Sequence, residues 1–330
     1  MKLKLKTKIL IVIDVIIICC FIFVYGINKV KTFWITTAME TATHRYLAYI
    51  FYSEDTVKKV LESNYINDFT EETNASSVQI NTKPKKTVYD SVYEQQILDH
   101  DEDELYKLIE FKYGEFDCYL IAIYDPTRVH AVSTTPIGKG RILTDISKDN
   151  DAIVAINGGG YSWANNLPNG LIISNGEIVY AEGYGKYQTA GINEDGVLMI
   201  GSFSAASAKE MNIREALSFG PALIVNGKPA DIKGTGGSGL NPRTVIAQRQ
   251  DGIILFLVVN GYGQNLSWKG RGGVYYNDLI TILQRYKAYN AMNMDGGSST
   301  TLVINHKLIN SPCEPLKEGQ DFIKSAWILK

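Results

Sequence analysis

A series of two-residue turn signals between short apolar runs most constrains what this chain can fold into. Asn175-Gly176, Asp195-Gly196 and Asn226-Gly227 each separate two runs of β-type residues, the setting of type I′ hairpin turns, whose two central residues take φ > 0. Asp251-Gly252 lies between the runs 243–249 and 253–260, and Asn305-His306 turns the last such pair. The apolar runs 118–124, 129–133 and 152–156 read as further strands. Helical periodicity is confined to 205–217 and 278–289, where Leu279, Ile282, Leu283 and Tyr286 share one face. Hairpins mixed with few helices predict an α+β fold, a mostly antiparallel, hairpin-rich sheet with a few packed helices, and not a doubly wound parallel sheet.

The first hundred residues differ in texture. Lys2, Lys4, Lys6 and Lys8 precede the apolar run 9–27, which at about 1.5 Å per residue is just long enough for the ~30 Å hydrocarbon core of a bilayer. The lysine excess ahead of the run puts the N-terminus in the cytoplasm and the rest outside, as the positive-inside rule requires. The run is long for a cleaved signal peptide and no small-residue cleavage site follows it, so a single transmembrane signal anchor is expected. Asp14 is its only charge, about one turn past Lys8, where snorkelling to the cytoplasmic interface explains it. Residues 36–64 carry a helical pattern that could form a stalk pairing with a second copy, or an amphipathic helix packed on its own domain. Residues 68–87 are polar and aperiodic and read as a linker. The expected organisation is a cytoplasmic tail 1–8, an anchor 9–27, a stalk and linker 28–104, and a main domain 105–330, extracytoplasmic in a single-pass membrane protein.

Composition removes several function classes. The net charge is −2, with no basic surplus that would point to nucleic acid. Gly234-Thr235-Gly236-Gly237-Ser238-Gly239 matches G-x-G-x-x-G, but no strand leads directly into it and Leu240-Asn241-Pro242 stops any helix that should open there. It reads as a mobile surface loop, of the kind that can close over a site as a lid, and no dinucleotide or other cofactor is expected. His44, His100, His130 and His306 are scattered, so neither a zinc site nor a Ser-His triad assembles. Cys118 and Cys313 have no metal-ligand spacing and read as free, mostly buried thiols, although a disulfide outside the cytoplasm stays open.

What remains is a set of glycine-bearing loops at strand ends. In Asn293-Met294-Asp295-Gly296-Gly297-Ser298-Ser299-Thr300 a carboxylate is followed by two glycines and three hydroxyls. The backbone there can bend sharply and aim its N–H groups at one spot, which suits an oxyanion or a sugar; the competing reading is an Asp-Gly turn capping itself. Asn157 runs into Gly158, Gly159 and Gly160 at the end of a buried strand, where glycine allows close approach to a ligand or simply makes a wide turn. Asn241-Pro242-Arg243-Thr244 sets a guanidinium at the start of an apolar strand, well placed for a bidentate phosphate contact, although a lone strand-edge Arg is more often paired with a surface acid. Asp295 lies outside the hairpin turns that hold Asp251, Asp195 and Glu177, which makes it the best candidate acid.

These segments in this order, with Gly170-Leu171-Ile172-Ile173-Ser174-Asn175-Gly176 and Ser218-Phe219-Gly220-Pro221-Ala222-Leu223, resemble the phosphodiester glycosidase family over roughly residues 105–330. The sequence has Gly160-Tyr161 where many relatives have two aromatics. Many bacterial relatives carry the label of exopolysaccharide biosynthesis proteins. The resemblance implies hydrolysis of a sugar-1-phosphodiester at the anomeric C–O bond, with a glycan phosphodiester as substrate. Under it Asp295 is the expected nucleophile or general base and Arg243 the phosphate contact. Asn157 with Gly158 and Gly159 is expected to hold sugar hydroxyls, and Asn241, Thr244, Asn293, Gly296, Gly297, Ser298, Ser299 and Thr300 to line the substrate site, without a metal. No second carboxylate for a glycosidase pair stands out. Two rivals stay open: a tethered glycan-binding or assembly protein without turnover, and a metal-dependent phosphodiesterase that cleaves P–O.

Overall fold

The computed structural model describes residues 5–40, 44–82, 88–262, 272–313 and 319–330. Lys2, Lys4, Ala42 and residues 83–87 of the expected linker lie outside them. The chain divides into two compact units, one of residues 1–66 with 232–239 and one of residues 67–231 with 240–330.

The smaller unit is helical. The apolar helix Leu5–Phe21 runs on into a wider turn, Ile22–Gly26, and is followed by Asn28–Glu40. Among the described residues no single helix is long and apolar enough to cross a membrane, although Val12–Gly26 and Asn28–Glu40 meet that test together as a bent pair. The pattern read as one helix over 36–64 is divided among Asn28–Glu40, Tyr46–Phe51 and Glu54–Glu62. The break before the last is set by Ser53, whose hydroxyl caps Thr56 N. Ile35, Ala38, Ala48, Tyr52, Val57 and Val60 form their shared core, so the apolar face is used within the unit. The loop Gly234–Gly239 is held here. The Glu40 carboxylate accepts from Ser238 Oγ (3.0 Å) and Gly239 N (2.7 Å), and Asn64 Oδ1 accepts from Thr235 N (2.9 Å). Those bonds fix the segment that reads as a mobile loop and lid in the sequence.

The larger unit is built from three antiparallel sheets. One has the order Glu177–Ala181, Leu171–Ser174, Ile213–Ser218, Tyr187–Asn193, Leu198–Phe203. The largest runs Lys228–Pro229, Ala222–Val225, Ala288–Met294, Arg243–Arg249, Ile254–Val259, Phe116–Ile123, Tyr106–Tyr113. The third runs Lys307–Leu308, Leu302–Ile304, Val154–Asn157, Ser325–Leu329, Val129–Ser133. Each sheet contributes to a single buried cluster, with Ile192 and Leu217 from the first, Ile246 and Phe256 from the second, and Ile156 and Trp327 from the third. Helices Leu143–Asp149, Ala205–Glu210 and Tyr276–Arg285 cover apolar outer faces.

All five turn signals close the expected hairpins. Asn175-Gly176, Asn226-Gly227 and Asn305-His306 have φ > 0 at both positions, whereas at Asp195-Gly196 and Asp251-Gly252 only the glycine does. The latter two are therefore not type I′ turns. At Asp251 the side chain accepts from Ile253 N and binds Arg249. Both helical expectations are shorter in the structure. Helix Ala205–Glu210 ends at Met211, Asn212 turns at φ 53, and Ile213–Ser218 pairs with Tyr187–Asn193 as a strand. The second helix ends at Arg285; Lys287 at φ 57 breaks it, and Ala288 begins a strand. The polar stretch after Asn67 is not a free linker. Thr73 N, Gln79 N and Asn81 N donate to Ile200 O, Gln250 O and Asp251 O, which ties it along the sheets. Backbone groups satisfied this way need no apolar side chains, which is why composition misreads the stretch.

Candidate active site

Three strand ends converge. Arg243–Arg249 pairs antiparallel with Ala288–Met294, with Thr244 opposite Met294, so the start of one strand and the end of the other bring Arg243 and Asp295 to the same edge of the sheet. The end of Val154–Asn157 in the third sheet reaches the same place, because Asp295 N donates to Gly158 O (3.0 Å). Gly297 N donates to Pro242 O (2.9 Å) and closes the loop onto the residue before Arg243. A Cβ on Gly296 would lie 2.8 Å from that same carbonyl, and Gly297 has φ 62, so both glycines are required by the bend itself.

Asn157 is 1% exposed. Its Nδ2 donates to Asp295 O (2.6 Å), and its Oδ1 accepts from Thr244 Oγ1 (2.7 Å) and Thr301 N (3.1 Å). These three bonds pin the Asp295 loop, a role beside the expected hold on sugar hydroxyls that the sequence did not reveal. Gly158 and Gly159 serve packing in the same way. A Cβ on Gly158 would stand 2.5 Å from Leu217 Cδ1, and one on Gly159 2.4 Å from Ser218 O, so the protein's own side chains and backbone come close. Asn293 is 1% exposed; its Nδ2 donates to Gly220 O (2.8 Å) and its N to Pro221 O (3.0 Å), which holds the Ser218–Pro221 segment, while its buried Oδ1 has no hydrogen-bond partner among the described residues. Asn241 bridges Val274, whose N donates to Asn241 O (3.0 Å).

Asp295 itself is half-buried, and its Oδ1 accepts from Gly296 N (2.9 Å). Arg243 is 3% exposed. Its guanidinium carbon sits 4.3 Å over the Tyr276 ring, and Nε donates to Val274 O (3.3 Å). A guanidinium is charged at any ordinary pH, and its planar fork of donors suits a phosphate. The loop hydroxyls do not all face outward as expected. Ser298 Oγ (3.4 Å) and Ser299 Oγ (3.1 Å) donate to Asp321 Oδ2, and Thr300 is 1% exposed.

Asp321 and Lys324 are the residues that sequence reasoning missed. Asp321 Oδ1 also accepts from Phe322 N (2.7 Å), so this second carboxylate is fixed against the Asp295 loop. Lys324 is 5% exposed, with its ammonium 4.5 Å from the centroid of Tyr161, the residue that ends the Asn157 loop. Burial holds its pKa below the usual lysine value, partly offset by the charge of Asp321. Neither lies in a recognisable motif. The signal available was their position just ahead of the apolar run 325–329, in the same relation to a strand as Arg243. Among the described residues no group of three His, Cys, Asp or Glu side chains could hold a metal ion.

A buried guanidinium and a half-buried carboxylate thus meet on tied strand-end loops of an antiparallel α+β unit. The chain belongs to the phosphodiester glycosidase family, whose model matches residues 150–325, more than half of its length. It is 27% identical over 179 residues to the SPbeta prophage-derived uncharacterized protein YomE of Bacillus subtilis, covering 51% of this chain and 27% of that protein. It is 25% identical over 194 residues to the N-acetylglucosamine-1-phosphodiester alpha-N-acetylglucosaminidase of Bos taurus, covering 54% of this chain and 36% of that one. The chain thus spans only about a quarter to a third of these relatives' lengths. Among solved structures it resembles the catalytic domain of the zebrafish N-acetylglucosamine-1-phosphodiester alpha-N-acetylglucosaminidase, auto-inhibited by its pro-peptide, with a TM-score of 0.58 and 20% identity over 70% of this chain and 85% of that one. That likeness shows a shared fold.

Proposed function

We propose that the protein is a membrane-anchored, extracytoplasmic glycosidase that hydrolyses a sugar-1-phosphodiester to free sugar and a phosphomonoester, in surface polysaccharide or glycopolymer metabolism. The observation that carries this reading is the buried Arg243, tied through Pro242 O to the Asp295 loop. In the proposed step the anomeric C–O bond breaks and its electron pair leaves with the phosphate. Arg243 stabilises that charge, which lessens the need for a strong general acid. Asp295 either attacks the anomeric carbon or takes the proton of the attacking water. Asn157 and Thr244 position these groups.

The test is to incubate the full chain in detergent with a panel of sugar-1-phosphodiesters while free sugar and phosphomonoester are both followed. Release of the two in equal amounts is expected. Specific glycan binding without product would favour a tethered binding protein, and turnover lost to chelator would favour a metal-dependent phosphodiesterase. The anchor rests on the apolar run 9–27 and the lysines ahead of it. Protease added to intact cells should remove the main unit, and its survival there would overturn the outward location.

A further inference from the structure

Lys324 lies just ahead of the Ser325–Leu329 strand, and Thr134 just beyond Val129–Ser133. The two strands pair antiparallel with Ser325 opposite Ser133, and Thr134 N donates to Lys324 O (2.9 Å). Thr134 and Lys324 are therefore directly opposite, and their side chains leave the same face. Both are more than nine-tenths buried, at 3% and 5% exposure. Thr134 Oγ1 has no hydrogen-bond partner, and among the described residues no oxygen accepts from Lys324 Nζ. A buried hydroxyl with no partner is costly unless something completes it, and Lys324 brings an ammonium with no acceptor among the described residues to the same face. Asp321 is close enough to influence the ammonium, but its oxygens are taken by Ser298, Ser299 and Phe322 N. The ring of Tyr161 offers only its quadrupole. The opposite wall is Gly140, where a Cβ would lie 2.7 Å from Nζ and 2.7 Å from Phe322 Cβ. Any side chain there would press on the ammonium, so glycine keeps the space beside it clear. Tyr161 in turn lies 5.5 Å from Trp163, which is 63% exposed, an open aromatic face of the kind on which a sugar ring stacks.

We propose that Lys324 and Thr134 form a second oxyanion subsite, separate from Arg243, which takes a further negative group of the substrate, either a phosphate monoester or a carboxylate. The proposal rests on the hydrolase reading only for the word substrate; the subsite itself can be tested by binding alone. In it the ammonium and the hydroxyl both donate to one oxyanion, and the Tyr161–Trp163 pair covers the sugar that carries it. The preferred ligand is thus a glycan with two anionic positions, the scissile phosphodiester and one more.

The experiment is calorimetric titration of the full chain with inorganic phosphate and with glucuronate, glucose being the neutral control. The wild type should bind two phosphates, Lys324→Met one, and the pair of substitutions Arg243→Ala with Lys324→Met none. Glucuronate binding should fall at least 10-fold in Lys324→Met and about 5-fold in Thr134→Val, the loss of one hydroxyl donor. Lys324→Met replaces an unpaired buried charge with an apolar chain of similar length, so its Tm should not drop, which separates lost binding from lost folding. Phosphate stoichiometry and glucuronate affinity unchanged in Lys324→Met would overturn the subsite. Failure of the wild type to hydrolyse any sugar-1-phosphodiester would overturn the hydrolase reading and leave these binding results standing. If turnover is found, a second anion on the substrate should raise kcat/KM at least 10-fold in the wild type and not in Lys324→Met. A preference that survives the substitution would contradict the proposal.

Discussion

Replacing Asn157 with alanine distinguishes a loop pin from a substrate contact. The substitution deletes one donor and one acceptor that together serve Asp295 O, Thr244 Oγ1 and Thr301 N. Each buried hydrogen bond contributes about 1 kcal/mol net, and each buried group left unsatisfied costs about 1–3 kcal/mol. Asn157 is 1% exposed and Thr244 and Thr301 are buried, so water does not readily replace the lost partner. The expected loss of stability is about 3–5 kcal/mol, in a chain whose total is typically about 5–15 kcal/mol. Thr244→Val, close in shape, should cost about 1 kcal/mol through the single bond to Asn157 Oδ1. In the double variant that cost should vanish, because the partner is already gone, giving a coupling of about 1 kcal/mol. Denaturant midpoints with unchanged m-values provide all four numbers. The reasoning is refuted if Asn157→Ala stays within about 0.5 kcal/mol of the wild type and changes only KM, which is how a sugar contact would behave.

Further outcomes follow from other parts of the larger unit. Glu215 is fully buried and accepts from Ala131 N, His130 Nδ1 and Arg214; Glu215→Ala should lower stability by about 3–5 kcal/mol, measured by denaturant titration, by leaving Arg214 without its partner. Gly159→Ala should cost at least about 1–3 kcal/mol on the same assay, since the added Cβ meets Ser218 O, a backbone atom, at 2.4 Å. Burial pushes the Cys118 thiol up to about 12. A raised thiol pKa means that the unfolded chain ionises first, so the associated stability is complete below about pH 9 and is lost between there and about 12. Stability should therefore fall more slowly in Cys118→Ala than in the wild type above pH 9, by up to about 1.4 kcal/mol per pH unit. At pH 8, alkylation mapped by mass spectrometry should spare Cys118 until the protein is unfolded.

How much of this was legible depended on the range over which each signal acts. Hairpins were readable because Asn-Gly and Asp-Gly dipeptides act over four residues, and all five were found. Asp295 and Arg243 were readable as polar groups beside glycine or proline at strand ends. The stretch 205–217 misled because its alanines and leucine fit a helical period, while Ile213, Glu215 and Leu217 also alternate; pairing with Tyr187–Asn193 decided the second half. The role of Asn157 was hidden because its partners lie at 244, 295 and 301, and nothing local marks which groups an amide meets. Asp321 and Lys324 were invisible for the same reason, with Ser299 and Thr134 meeting them only in the folded chain.

The central claim concerns which bond breaks and which residues break it. The most direct measurement is turnover of a sugar-1-phosphodiester in water labelled with oxygen-18 by the full chain, Asp295→Asn and Arg243→Ala, with folding of each checked by denaturant midpoint. The account predicts that the label enters the free sugar, that Asp295→Asn is essentially inactive, and that Arg243→Ala loses about 10²–10³ in kcat through lost stabilisation of the leaving phosphate. Label in the phosphate, or a folded Asp295→Asn protein with full activity, would contradict it.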